Sequence, residues 1–148
     1  MLIQEMSRQT CIDFLARTRL GRLACAQEGQ PYITPFFFAY HSGALYSFST
    51  VGQKITWMRA NPLVCVETDE VRTPQEWSCV IVFGRYEELP PEPDCNDARE
   101  LAYKLLHQQP IWWEPGYAMT IHEGRERPLD LMYFRIQIAR ITGHRAMS

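Results

Sequence analysis

Over residues 131–142 apolar and polar side chains alternate in a way that only an extended strand with one buried face explains. Met132, Phe134, Ile136 and Ile138 fall on one side, and Tyr133, Arg135 and Gln137 fall on the other. A period of two excludes a helix there. Other strand-length segments precede it. Residues 23–26 read as a short strand, closed by the turn Gln27-Glu28-Gly29-Gln30. Residues 32–40 are aromatic and β-rich, punctuated by Pro31 and Pro35. Proline has no N–H for a ladder, so this strand is predicted at a sheet edge, or bulged near Pro35. His41-Ser42-Gly43 is a tight turn, and residues 45–49 return as the hairpin partner. Residues 63–68 and 77–86 are further strands. The run Val80-Ile81-Val82-Phe83 has no polar side, which predicts burial on both faces.

Helical signals are fewer. Residues 8–19 follow a potential cap at Ser7 and place Cys11, Ile12, Phe14 and Leu15 inward. Residues 52–60 form a short helix stopped by Asn61-Pro62. Pro90, Pro91 and Pro93 make residues 89–97 a loop, and residues 97–109 a last helix with Ala98, Leu101 and Leu105 inward. Six or so strands with few flanking helices predict a mainly β chain, an antiparallel barrel whose closure removes exposed edges. An open α+β sandwich is the competing architecture.

The chain has 148 residues, which fits one domain, residues 1–148. With 46% hydrophobic residues, one sizeable core is within reach. A formal net charge of −2 gives no electrostatic case for nucleic acid or an anionic membrane. No apolar stretch is long enough to span a bilayer, and MLIQEMSRQT lacks a basic segment followed by an apolar one, so no secretory signal is expected. Cys11, Cys25, Cys65, Cys79 and Cys95 are odd in number and form no C-x-x-C pair. They read as free thiols of a cytoplasmic protein, and no metal site is expected.

The chemistry concentrates between residues 31 and 61. Ser49-Thr50-Val51-Gly52-Gln53-Lys54 places two hydroxyls, a glycine and a lysine where a strand ends and a helix starts. A helix N-terminus offers unpaired N–H groups and partial positive charge, and lysine adds a full one. That combination suits a phosphate. The plainer use of the same residues is structural, with Thr50 capping the helix, Gly52 serving the turn and Lys54 solvated. Neither G-x-x-x-x-G-K nor G-x-G-x-x-G is present, so neither a P-loop nor a Rossmann site is expected.

An ordered set of motifs adds to this reading. Gly21-Arg22-Leu23-Ala24, Pro31-Tyr32-Ile33-Thr34-Pro35, Tyr40-x-x-Gly43-x-Leu45-Tyr46, Ser49-x-x-Gly52-x-Lys54 and Arg59-x-Asn61-Pro62-x-Val64 occur in that order. Trp77-Ser78, Val80-Ile81-Val82-x-Gly84 and Ile141-Thr142-Gly143 follow. The series spans nearly the whole chain. It resembles the flavin-binding split-barrel proteins related to pyridoxamine 5'-phosphate oxidase, in particular the nitroimidazole-resistance-like branch.

The resemblance implies an antiparallel split β-barrel that dimerises with itself and holds one flavin in each of two interface clefts. FMN is the cofactor expected, with FAD the alternative. Ile33, Thr34 and Pro35 would run beside the isoalloxazine, and Phe48 would face it. Ser49, Thr50, Gly52, Gln53 and Lys54 match the segment that holds the phosphate. Two departures qualify the match. Gln53 stands where the oxidases tend to carry arginine, which implies a weaker phosphate grip. Phe48 stands where nitroimidazole reductases often carry histidine, which argues against a drug-reducing role. Residues that bind pyridoxamine phosphate are not recognisable near the C-terminus.

Ile111-Trp112-Trp113-Glu114-Pro115-Gly116 is the other unusual stretch. Trp113 is a candidate to cover a flavin face or a dimer seam, and core anchoring is the alternative for both tryptophans. Phe36-Phe37-Phe38 and Trp112-Trp113 supply the apolar surface expected to pair two copies. His144 and Arg145 either approach the partner's cofactor or belong to a frayed tail. No carboxylate pair, no Ser/His/Asp order and no activated cysteine stands out, so the catalytic residues are unassigned. Three functions fit: an FMN-dependent oxidoreductase of a small organic substrate, a flavin-binding protein without turnover, or a dimer whose cleft holds another ligand such as haem or F420.

Overall fold

The computed structural model describes residues 1–108, 119–128 and 131–147. In chain order the elements are β1 (Leu2–Glu5), α1 (Arg8–Arg17), β2 (Leu20–Gln27), β3 (Gln30–Phe37), β4 (Ala39–His41), β5 (Ala44–Thr50) and α2 (Gln53–Ala60). There follow β6 (Leu63–Thr73), β7 (Glu76–Leu89), α3 (Asn96–Leu106), β8 (Met119–His122), β9 (Arg125–Pro128) and β10 (Leu131–Met147).

One antiparallel sheet carries the fold, in the order β3-β2-β6-β7-β10-β5-β4, with β1 also on β10. Its spine is β10, which lies along β7 for most of its length. On its other side it pairs first with β5, Tyr133 opposite Phe48, and later with β1, His144 opposite Glu5. The sheet curls until β3 and β5 approach, and there it stays open. A side chain spans the split: Ser47 Oγ donates to the Phe37 carbonyl at 2.6 Å. The architecture is the mainly antiparallel split barrel expected, with a gap in place of full closure. β8 and β9 form a separate hairpin.

Local chemistry explains the elements. Ser7 caps α1 by accepting from the Thr10 N–H at 3.1 Å, a contribution of about 1 kcal/mol. Ser42 and Gly43 both have positive φ, 45° and 80°, which a two-residue hairpin turn of this hand requires. β3 is an edge strand, as Pro31 and Pro35 demand. Asn61 ends α2 and ties it to the sheet, its Nδ2 donating to the Ala26 carbonyl at 3.0 Å.

The curl encloses Leu23, Phe36, Phe38, Leu45, Val66, Val80, Val82, Phe134 and Ile136. α1 closes it with Phe14 and Leu15, and α2 with Ile55 and Met58. A second cluster lies outside, where α3 buries Ala102 and Leu106 against Ala39, Ala44, Tyr46 and Leu89.

Several expectations are revised. Phe36 and Phe38 are core residues and not pairing surface, and Phe37 is half-buried. β7 is not buried on both faces: Val80 and Val82 point inward, Ile81 is half-buried and Phe83 is 36% exposed. α3 is turned by one position, so Ala102 and Leu106 are sealed while Ala98, Leu101 and Leu105 lie at the margin. His144 and Arg145 are not a frayed tail but internal to β10, held between β7 and β1.

Candidate functional site

The split between β3 and β5 is floored by Phe36, Ser47 and Phe134 and walled by Pro35, Phe37, Phe48, Lys54 and Leu106. Alternation explains the walls. Thr34 and Phe36 point into the core, so Pro35 and Phe37 point to the outer side. Ser47 and Ser49 point in, so Phe48 points out. α2 starts at the same place. Gly52 is its N-cap, with no side-chain capping bond, and the first backbone bond within the helix is Thr56 N–H to the Gly52 carbonyl at 3.0 Å. The structural alternative for Thr50 is therefore not the one adopted, because Thr50 ends β5 and Gly52 holds the cap position. The positive end of α2 and the Lys54 ammonium thus meet at an otherwise apolar groove.

Of the residues singled out in the sequence, Pro35, Phe48 and Lys54 come together on this groove. Gly52 and Gln53 stand exposed at the start of α2, two and three residues beyond the end of β5. Ser49 and Thr34 are buried, 2% and 7% exposed, on the core side of their strands. Ser49 Oγ donates to the Thr50 carbonyl at 3.3 Å. Ile33 is 64% exposed on the outer face of β3. Trp112 and Trp113 lie outside the described residues.

Among the described residues that line the groove, none is set up as an acid, a base or a nucleophile. Burial pushes the thiols of Cys11, Cys25, Cys65 and Cys79 up, so none of these is an activated thiolate. Among the described residues no three His, Cys, Asp or Glu side chains converge as a metal site. No helix among them is long and apolar enough to cross a membrane. Another cavity is lined by three arginines, Arg17, Arg72 and Arg145, and two glutamates, Glu70 and Glu76, and the first two arginines pair with the glutamates. Arg17 meets Glu70 at 2.7 Å, and Arg72 meets Glu70 at 3.0 Å and Glu76 at 3.2 Å.

Two features escaped the sequence reading. Glu67 on β6 sits opposite Arg22 and Ile81 on the outer face. Burial pushes its carboxyl up to about 7, helped by the hydrogen bond its protonated form donates to Asp69 and by the Asp69 charge, and opposed by Arg22. The second is a row of rings beside Phe48, drawn from β5, α3 and β10. The signal for it was the spacing of Arg99, Tyr103 and His107, four residues apart on one helix face.

The sequence profile of the pyridoxamine 5'-phosphate oxidase family matches residues 7–145. The chain belongs to this family. The uncharacterized protein RA0666 of Rhizobium meliloti is 38% identical over 146 residues, covering 99% of this chain and 97% of the relative. The crystal structure of an FAD-binding protein from Mesorhizobium loti is 41% identical, covers 99% of both chains and superimposes with a TM-score of 0.83. A proposed 5-nitroimidazole antibiotic resistance protein from Bacteroides thetaiotaomicron has a TM-score of 0.66 at 16% identity, covering 97% of this chain and 89% of its own. At that distance the likeness to the Bacteroides protein is one of fold.

Proposed function

We propose that this protein binds a flavin in the split between β3 and β5, with the flavin phosphate at the start of α2, and that it works as a homodimer. One observation carries the reading: Pro35, Phe48 and Lys54 converge on a single groove at the N-terminus of α2, whose cap position is a glycine. The groove is narrow, about 10 Å³, so its apolar walls suit contact with one edge of a planar ring lying across its mouth, and the lysine with the helix end suits the phosphate. The FAD-binding protein from Mesorhizobium loti, 41% identical over nearly the full length, supports the flavin and favours FAD over the FMN expected from sequence.

The dimer reading rests on the outer face of the sheet. Ile33, Ala24, Cys65 and Phe83 form one cross-strand row over β3, β2, β6 and β7, with Leu63 beside it. Ile33, Leu63 and Phe83 are 64%, 65% and 36% exposed. A contiguous apolar face of this kind marks an interaction surface, and a second copy of the chain is the partner we assign to it. This face adjoins the groove at Pro35.

We assign the protein to electron transfer between its flavin and a small organic molecule. The flavin supplies the redox chemistry, and the chain's residues hold it, shield one side from water and shape access. Phe48 is a wall without a proton to give, so turnover is expected to tolerate varied acceptors.

Lys54→Ala tests the phosphate assignment. A charge-assisted hydrogen bond to phosphate is worth roughly 1.5–3 kcal/mol, so FMN should bind about tenfold more weakly or worse. Riboflavin, which has no phosphate, should lose little. Fluorescence titration of both ligands against both proteins reads the result, and unchanged FMN affinity would remove the phosphate from α2.

A further inference from the structure

α3 turns Arg99, Tyr103 and His107 towards Tyr133 on β10 and Phe48 on β5. The rings form a continuous row. Tyr103 stacks on His107 with centroids 3.9 Å apart and planes at 26°. His107 stacks towards Phe48 at 6.5 Å and 25°, and Phe48 meets Tyr133 at 5.6 Å. The Arg99 guanidinium carbon lies 5.5 Å from the Tyr133 ring centre. Beside the row is a cavity of about 350 Å³ lined by Asn96, Arg99, Glu100, Tyr103 and Tyr133. That is at the small end of ligand sites, which run roughly 300–1,000 Å³, and suits a fragment of a cofactor.

Two observations set this strip apart from ordinary packing. α3 is already sealed to the sheet by Ala102 and Leu106, and Tyr103 stays 55% exposed. Among the described residues Arg99 Nε is buried without a hydrogen-bond partner, a costly state for a charged donor unless a ligand completes it. The strip also begins where the flavin groove ends. Phe48 lines that groove, and Tyr133 is its direct cross-strand neighbour.

We propose that this strip is a second subsite, built for an adenylate group. The aromatic row takes the adenine face, Arg99 takes a phosphate, and Asn96 and Glu100 accept from ribose hydroxyls or the adenine amine. Glu100 in the same cavity disfavours a simple anion and favours a ligand that brings donors as well as negative charge. The inference rests on the flavin reading, and it makes the adenylate half of FAD the principal occupant. A free adenine nucleotide has the same chemistry.

The experiment titrates FAD, FMN and AMP into the unliganded protein and into Arg99→Ala and Tyr103→Leu. Tyr103 is exposed, so the second variant keeps the fold. FAD should bind the wild type at least tenfold more tightly than FMN. Each variant should erase most of that advantage and leave FMN affinity unchanged. If FAD and FMN bind alike but AMP binds the FMN-loaded protein in an Arg99-dependent way, the strip serves a free nucleotide. The inference is overturned if neither FAD preference nor AMP binding is seen, or if the variants weaken FAD and FMN by the same factor. Failure of any flavin to bind would overturn the proposed function along with it, which separates the two failures.

Discussion

Phe83→Asp should split the protein into monomers and release its flavin. Phe83 sits in the apolar row Ile33–Ala24–Cys65–Phe83, with the Arg140 guanidinium 4.2 Å from its ring centre. In a two-fold interface each substitution occurs twice, so two carboxylates would enter one buried surface. An uncompensated buried charge costs about 3–5 kcal/mol, and the Arg140 neighbour offsets only part of it. The dissociation constant should rise by two orders of magnitude or more. The groove at Pro35 borders this face, so flavin affinity should fall with the dimer. Sedimentation should show a dimer for the wild type and a monomer for the variant at micromolar concentration. A wild-type monomer that still binds flavin would refute the assembly, and an unchanged variant dimer would move the interface elsewhere.

Phe134→Ala should cost the fold about 3–5 kcal/mol, the usual range for deleting a buried aromatic ring. Phe134 is fully buried at the centre of the curl. It stacks on Phe36 at 5.9 Å and packs on Tyr86 at 5.3 Å. It also contributes to the floor of the groove, so the loss should be felt in both stability and flavin binding. For a domain of this size, each kcal/mol moves the melting temperature by roughly 2–4 °C, so a drop of about 10 °C is expected. Denaturant and thermal unfolding check it, and a loss under about 1 kcal/mol would mean that the core is not centred on this residue.

What was legible in the sequence was whatever depends on neighbours in the chain. Ser7 caps α1, Ser42-Gly43 turns the β4–β5 hairpin, and the prolines of β3 keep it at an edge. Alternation read β10 correctly through Phe134 and Ile136, until a bulge between Ile138 and Arg140 shifted the register. Gly84 stands opposite Ile138 at that bulge. A Cβ there would come within 2.6 Å of the Gln137 carbonyl oxygen, so glycine is what lets β7 and β10 approach. Features set by distant partners were not legible. A run without polar residues looked buried on both sides in β7, although only Val80 and Val82 meet the core. The position of the split depends on β10 pairing with both β5 and β7, which no local pattern reveals. In the site, the phosphate segment was visible as a motif at Ser49 to Lys54. The aromatic strip was not, because its members come from three elements far apart in the chain.

The most direct measurement is the visible absorption spectrum of protein purified without added cofactor, followed by chromatography of whatever denaturation releases. The expected result is a yellow protein with a flavin spectrum that releases FAD in amounts matching the chain. A colourless protein that takes up neither FAD nor FMN on titration would contradict it.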